Sequence, residues 1–318
     1  VNPSSKPITD ASTIRVHVAR FDPAVDRERR YETYEVPRTP NMRIMDALDY
    51  IYETLAVDLG YRWLCGSKKC GTCALKVNGS PKLACWDEAE PEMTLEPLDN
   101  MPVLRDLAIS RDGYEARLRS IQPLLVREKE YPGFPEPLKG TDMAPMSHLR
   151  ECIQCLACQS VCPVLQQPDN SFAGPAVLVA LSEVAQDPRD EGDRGHIAVQ
   201  VASVFQCVSC YECERVCPSE IPIVGEAIEP LKRIAYQADE DSPGKRRAAA
   251  FVESVRKLGY VNPSAVALGT KGVTLDSLRV ALRMARRGKI GLLDAFGKRA
   301  SPGAEAIRKT LDSSEKTA

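Results

Sequence analysis

Cys152-Ile153-Gln154-Cys155-Leu156-Ala157-Cys158-Gln159-Ser160-Val161-Cys162-Pro163 is a Cys-X2-Cys-X2-Cys-X3-Cys-Pro run, and it recurs as Cys207-Val208-Ser209-Cys210-Tyr211-Glu212-Cys213-Glu214-Arg215-Val216-Cys217-Pro218. This is the spacing of a loop wrapped round an inorganic iron–sulfur body, in which the fourth cysteine of each run reaches the cluster of the other. Applied here, Cys152, Cys155, Cys158 and Cys217 hold one [4Fe-4S] cluster. Cys162, Cys207, Cys210 and Cys213 hold a second, and the crossing brings the two close together. Pro163 and Pro218 end each loop and direct the chain away from the metal.

A third quartet lies upstream, at Cys65, Cys70, Cys73 and Cys85. Cys-X4-Cys-X2-Cys followed by a distant cysteine is the plant-type two-iron pattern, so a [2Fe-2S] cluster is expected there. Gly66 and Gly71 let backbone N–H groups turn toward the sulfurs without a side chain in the way. Such N–H bonds offset the cluster's negative charge and raise its potential. The three quartets use all 12 cysteines. Zinc is the competing reading, although zinc sites usually pair one Cys-X2-Cys with another. A disulfide framework belongs to small secreted domains and does not suit this chain.

With 318 residues, 43% of them hydrophobic, the chain can fold as two domains. The longest apolar runs, such as Ala176-Val177-Leu178-Val179-Ala180-Leu181, are too short to span a bilayer. No basic-then-apolar leader opens the sequence, so a reducing, cytoplasmic setting is expected, at most peripheral to the inner face of a membrane. A net charge of -2 gives no sign of nucleic-acid binding. From Glu240 onward there are 16 Lys and Arg against 8 Asp and Glu, whereas the rest holds 26 against 36, so an acidic body carries a basic tail.

Residues 13–36 alternate as a hairpin, with Ile14, Val16 and Val18 to one side and a polar turn at 22–30. Met45, Leu48, Ile51, Tyr52 and Leu55 are spaced as the buried face of one helix. Residues 74–84, around the Asn78-Gly79 turn, form a second hairpin. Together these predict a small mixed domain of ubiquitin-like topology over residues 13–100, behind a disordered lead-in at 1–12. Seven prolines punctuate residues 97–145, so 101–145 is an ordered connector, with a helix at 105–118. From 146 to 238 the pattern is helical, with helices at 173–184, 197–204 and 223–235. The tail, 239–318, has helices at 248–258, 275–284 and 304–311. The fold class is α+β: an N-terminal β-grasp, plant-type ferredoxin domain, then an all-α two-cluster ferredoxin domain with a helical tail.

No nucleophile–base set and no phosphate loop is present, so no catalytic residue is assigned. Gly269-Thr270-Lys271-Gly272 lacks the phosphate-loop length and is expected to be a turn. His17, His148 and His196 show no ligand spacing. His17 is expected on a strand surface, and His148 as a helix cap beside the first run.

Over residues 14–235 the chain resembles the iron–sulfur subunit of the succinate dehydrogenase/fumarate reductase family. The resemblance rests on Cys65-Gly66-Ser67-Lys68-Lys69-Cys70-Gly71-Thr72-Cys73, Leu83-Ala84-Cys85, Arg105-Asp106-Leu107, Gly174-Pro175-Ala176 and Asp187-Pro188-Arg189-Asp190. It implies a subunit bridging an FAD-bearing dehydrogenase, which its two-iron domain faces, and a quinone-reacting membrane anchor. Two departures follow from the same resemblance. Common members have no cysteine at the place of Cys210 and hold a [3Fe-4S] cluster there; a thiolate at this place implies a four-iron cluster of lower potential, with a [3Fe-4S] cluster as the alternative. Gln167 and Val208 stand where a tryptophan and a histidine form the usual quinone site, so that pocket is not expected. Phe251-Val252-Glu253-Ser254-Val255-Arg256-Lys257-Leu258-Gly259 and Arg287-Gly288-Lys289 resemble the C-terminal part of the small subunit of heterodisulfide reductase, which implies a partner with CCG domains. A wire for another flavin dehydrogenase and a free ferredoxin-like carrier are the alternatives. The connector and the basic tail weigh against the carrier.

Overall fold

A computed structural model of the chain describes residues 13–136, 138–168, 170–238, 241–271, 275–288 and 300–315. The lead-in at 1–12, Gly272 and Lys289 lie outside the described residues. Two compact units emerge. One comprises the described residues up to Arg194 together with Cys207–Leu231, and the other comprises Gly195–Gln206 with the described residues from Lys232 onward.

The first unit, of α+β class, opens with β1 (Thr13–Arg20) and β2 (Arg30–Pro37), paired antiparallel. The helix α1 (Ile44–Tyr50) follows, then β3 (Ala74–Val77), β4 (Ser80–Leu83) and β5 (Glu92–Glu96). The sheet order is β2-β1-β5-β3-β4, with β1 and β5 parallel. Ile14, Val16 and Val18 of β1, Met93 and Leu95 of β5, and Ile44, Leu48 and Ile51 are fully buried. Each such side chain stabilises the fold by about 1.5–3 kcal/mol. The expected helical face ends at Ile51. There the helix widens into a π turn closed by Ala56 N–H on the Ile51 carbonyl, at 2.7 Å. The wider turn abandons the 3.6-residue phase, so Tyr52 and Leu55 are 42% and 47% exposed instead of buried.

The helix expected at 105–118 is also corrected. The strands β6 (Val103–Arg105) and β7 (Ala108–Ile109) form a short hairpin, and α2 begins only afterward (Asp112–Ser120). Asp106 sits in the left-handed region at φ 46°. Its buried carboxylate holds it there by accepting the N–H groups of Phe21 and Gly60, both at 2.8 Å. The same carboxylate lies 3.1 Å from buried Arg20, which also pairs with Glu32 and Asp58 at 2.8 Å. The Arg105-Asp106-Leu107 motif is thus a structural knot tying the hairpin to the end of β1.

The helix Pro175–Ala185 starts with Gly174 at φ 94° and proline in its first turn, and most of its residues are buried. It packs on the turn Ile223–Ile228, where Ser182 Oγ donates to the Ala227 carbonyl at 3.1 Å. The segment expected as one helix at 197–204 is helical in a wide π form over Ile197–Val201 but breaks at Ser203, φ 50°, before a tight helical turn at Val204–Gln206.

In the second unit the helix Pro243–Leu258 begins earlier than expected, capped by Ser242 Oγ accepting Lys245 N–H at 3.0 Å. Gly259, at φ 76°, ends it. Pro263–Lys271 is a helix that the hydrophobic pattern did not reveal. Gly269 lies inside it, not in a turn, and a Cβ there would stand 2.7 Å from Ala250 Cβ. Leu275–Arg286 and Ala304–Glu315 complete the unit.

Candidate iron–sulfur sites

The first quartet sits on the loop before β3 and just after β4. Cys65 Sγ accepts the N–H groups of Ser67, Lys69 and Cys70 at 3.4, 3.3 and 3.3 Å. Gly66, Lys68 and Gly71 at φ 63°, 57° and 67° turn those donors inward. These N–H groups hold the Cys65 thiol down at about 6. Cys73 is buried, which pushes its thiol up to about 12, helped by Cys85 and Cys70 beside it. Trp63, Leu64 and Trp86 are exposed on the flanks of Cys65 and Cys85, with Lys68 Nζ 5.2 Å from the Trp86 ring.

The two Cys-Pro runs share a backbone as well as a spacing. Gln154 and Leu156 in the first, and Ser209 and Tyr211 in the second, occupy corresponding places and are all left-handed, at φ 53°, 67°, 51° and 64°. Short helical turns follow at Ala157–Ser160 and Glu212–Arg215. Non-glycine residues in this conformation cost about 1–2 kcal/mol each, so both repeats keep the wrapping loop at an energetic cost.

Cys152, Cys155, Cys158 and Cys217 line one pocket, backed by Ala176 and Val179 of the helix Pro175–Ala185. Burial raises the Cys152 thiol and lifts Cys155 to about 11, and neighbouring Cys217 adds to both. Burial pushes Cys158 well above the usual thiol range, with Cys155, Cys152, Cys213 and Cys217 nearby. Cys162 is raised by burial and then by Cys207 and Cys210. Cys213 is pushed up to about 12 by burial and by the same two neighbours. Cys210 is the exposed member of the twelve.

The first quartet's loop touches the first run. A Cβ on Gly71 would lie 2.5 Å from the Ile153 carbonyl oxygen and 2.8 Å from Cys155 Cα. Arg111 donates to the Gln154 carbonyl at 3.0 Å. Asn100 Nδ2 faces the carbonyls of Gln159, Ser160 and Cys162 at 2.9, 3.0 and 3.3 Å, and Asp99 N–H donates to Ser160 Oγ at 2.8 Å. No period or motif in the sequence marks Asn100 or Arg111. We expect Asn100→Ala to destabilise the protein by about 1–3 kcal/mol, the cost of leaving buried carbonyls unpaired, seen as a lower anaerobic unfolding temperature.

The histidines do other work. His17 lies on β1 with its ring 2.8 Å from Thr33 Oγ1 and 3.1 Å from Glu92 Oε1. His148 makes no side-chain cap; its Nδ1 lies 2.9 Å from Glu226 Oε2 instead.

Residues 15–116 match the family of the 2Fe-2S iron-sulfur cluster binding domain, and residues 148–221 match the 4Fe-4S dicluster domain. The fold and these matches define a protein that joins a two-iron module to a dicluster module. The fumarate reductase iron-sulfur subunit of Mycobacterium tuberculosis is 33% identical over 230 residues, which is 70% of this chain and 92% of that subunit. A subunit of the fumarate reductase (CoM/CoB) of Methanothermobacter marburgensis is 36% identical over 222 residues, 70% of this chain but 44% of that protein, so the chain spans less than half of that relative. A chain of the Mycobacterium smegmatis Sdh1 complex in the apo form superposes with a TM-score of 0.68 at 27% identity, over 73% of this chain and 98% of that one. The chain belongs to the family of iron–sulfur subunits of succinate dehydrogenases and fumarate reductases.

Proposed function

We propose that this chain is the electron-transfer subunit of a succinate dehydrogenase/fumarate reductase-type complex. It relays electrons between an FAD-bearing dehydrogenase subunit and a CCG-domain or quinone-reacting subunit. The observation that carries this reading is the meeting of Cys217, from the second run, with Cys152, Cys155 and Cys158 of the first around one cavity. When bound, the clusters accept and release single electrons, with no bond made or broken in the protein.

The donor chemistry fits such groups. Thiols raised by burial are poor nucleophiles but become thiolates once a metal core supplies the compensating charge. In this reading Cys65, Cys70, Cys73 and Cys85 hold the [2Fe-2S] group within a β-grasp domain over residues 13–100. Residues 101–145 connect it to an all-α two-cluster domain at 146–238, and 239–318 form a basic docking tail. The parallel β1–β5 pair at the centre of the sheet supports the β-grasp assignment. Exposed Trp63, Leu64 and Trp86 support docking of the flavoprotein beside the first quartet. The complex is cytoplasmic, held at the inner face of the membrane where a partner anchors it; no described helix is long and apolar enough to cross one.

The test is anaerobic purification of the full chain with its partners. About ten irons per chain are expected from one two-iron and two four-iron groups, together with a co-purifying flavoprotein. Zinc in their place, or no flavoprotein under gentle conditions, counts against the reading. Cys210→Ser is expected to remove about one iron of the ten and to give an oxidised three-iron EPR signal. The same signal in anaerobic, unoxidised wild type would show that Cys210 is not a ligand.

A further inference from the structure

Tyr114 is the one buried residue of α2, at 4% exposure, and its hydroxyl finds no hydrogen-bond partner among the described residues. An unpaired buried hydroxyl costs about 1–3 kcal/mol, a cost a phenylalanine would avoid. The neighbours narrow what the hydroxyl serves. Its helix, α2, packs against the helix Pro175–Ala185, whose Ala176 and Val179 back the pocket lined by Cys152, Cys155, Cys158 and Cys217. The guanidinium of Arg111 lies 5.4 Å from the centre of the Tyr114 ring, and it holds the Gln154 carbonyl between Cys152 and Cys155. Arg111 also lines a small pocket with Gly71, Thr72 and Cys155. The Arg111 guanidinium, 4.0 Å from Glu115, and the unpartnered Tyr114 hydroxyl therefore both lie on the α2 side of this cysteine set.

We propose that Tyr114 and Arg111 set the potential of the centre held by Cys152, Cys155, Cys158 and Cys217: the Tyr114 hydroxyl donates a hydrogen bond to its sulfur shell, and Arg111 supplies positive charge. The inference rests on the proposed four-iron reading of that set. Adding an electron makes such a centre more negative, so a nearby donor and a cation favour the reduced form and raise the potential. Tyr114 positions no substrate; it acts on the centre's electronics alone.

The experiment is an EPR-monitored redox titration of the anaerobically loaded full chain. Tyr114→Phe removes only the hydroxyl and is expected to shift the one-electron equilibrium of this centre about tenfold toward the oxidised form, which is ~59 mV. The midpoint of the Cys65–Cys85 centre should stay where it is. Arg111→Gln keeps a donor for the Gln154 carbonyl and should shift the same midpoint in the same direction. Unmoved midpoints in both loaded variants would overturn the proposal. If Tyr114→Phe fails to load, deuterium-exchange ENDOR on the wild type decides: an exchangeable proton strongly coupled to the reduced centre is expected, and its absence overturns the role of Tyr114. A wild type without any four-iron signal removes the underlying reading itself, an outcome distinct from a loaded centre whose potential does not move.

Discussion

Cys217→Ala is expected to abolish the centre of the first run, although Cys217 belongs to the second. The reciprocal change, Cys162→Ala, should abolish the centre of the second run. The reason lies in the walls of the cavity: Cys217 stands with Cys152, Cys155 and Cys158, and the neighbours of Cys162 are Cys207 and Cys210. The effect is large because binding free energy at a structural metal site is folding free energy, about 10–16 kcal/mol for zinc peptides. Losing Cys217 leaves Cys152 with buried Cys155 and Cys158, and losing Cys162 leaves Cys207 and Cys210 with buried Cys213, each set one thiolate short of its four. Iron should fall from about ten to about six per chain in either variant, with a matching loss of thermal stability. Mössbauer and EPR spectra of the two variants, taken side by side, tell them apart. Loss of the Cys207–Cys213 centre in Cys217→Ala, with the Cys152–Cys158 centre intact, would mean that each run closes on its own four cysteines and that the crossed arrangement is wrong.

The meeting of Cys217 with Cys152, Cys155 and Cys158 was legible in the spacing of the cysteines because two runs of the same spacing each carry their wrapping geometry within twelve residues. The β1–β2 and β3–β4 hairpins were legible for the same reason, since alternation and the Asn78-Gly79 turn are short-range signals. What escaped was non-local. The strand β5 pairs in parallel with β1, so Val16 meets Met93 across more than seventy residues, and nothing in Glu92-Met93-Thr94-Leu95-Glu96 announces that it is central. The span 105–118 has helix-compatible composition. It is diverted by Asp106, whose left-handed backbone is stabilised by two N–H groups from distant segments. Tyr52 and Leu55 fit a helical stripe, but the widened turn at Ile51 swings them outward. Within the site, every cysteine was marked by its spacing. The side chains that tie other segments to the first run, Asn100 and Arg111, are single residues whose meaning exists only once the loops have met.

The junction between the first quartet and the first run makes the second large prediction. Gly71 is left-handed at φ 67°, and a Cβ there would overlap backbone atoms of Ile153 and Cys155 at 2.5 and 2.8 Å. Both obstacles are main chain, so no side-chain rotation relieves them. Gly66 is the natural control. It has nearly the same conformation, φ 63°, but a Cβ there meets nothing within 4 Å. Gly66→Ala should therefore cost only the conformational term, about 1–2 kcal/mol. Gly71→Ala should cost that term plus about 1–3 kcal/mol of overpacking, and it can relax only by parting the two loops. A greater separation slows electron transfer between the two centres, so Gly71→Ala should also retard reduction of the second centre after the first is photoreduced, while Gly66→Ala leaves that rate near wild type. Anaerobic unfolding temperatures and flash-reduction kinetics read the two consequences separately. Equal stability and equal transfer rates in the two variants would mean that the Gly71–Cys155 approach neither holds the loops together nor sets the distance an electron travels between them.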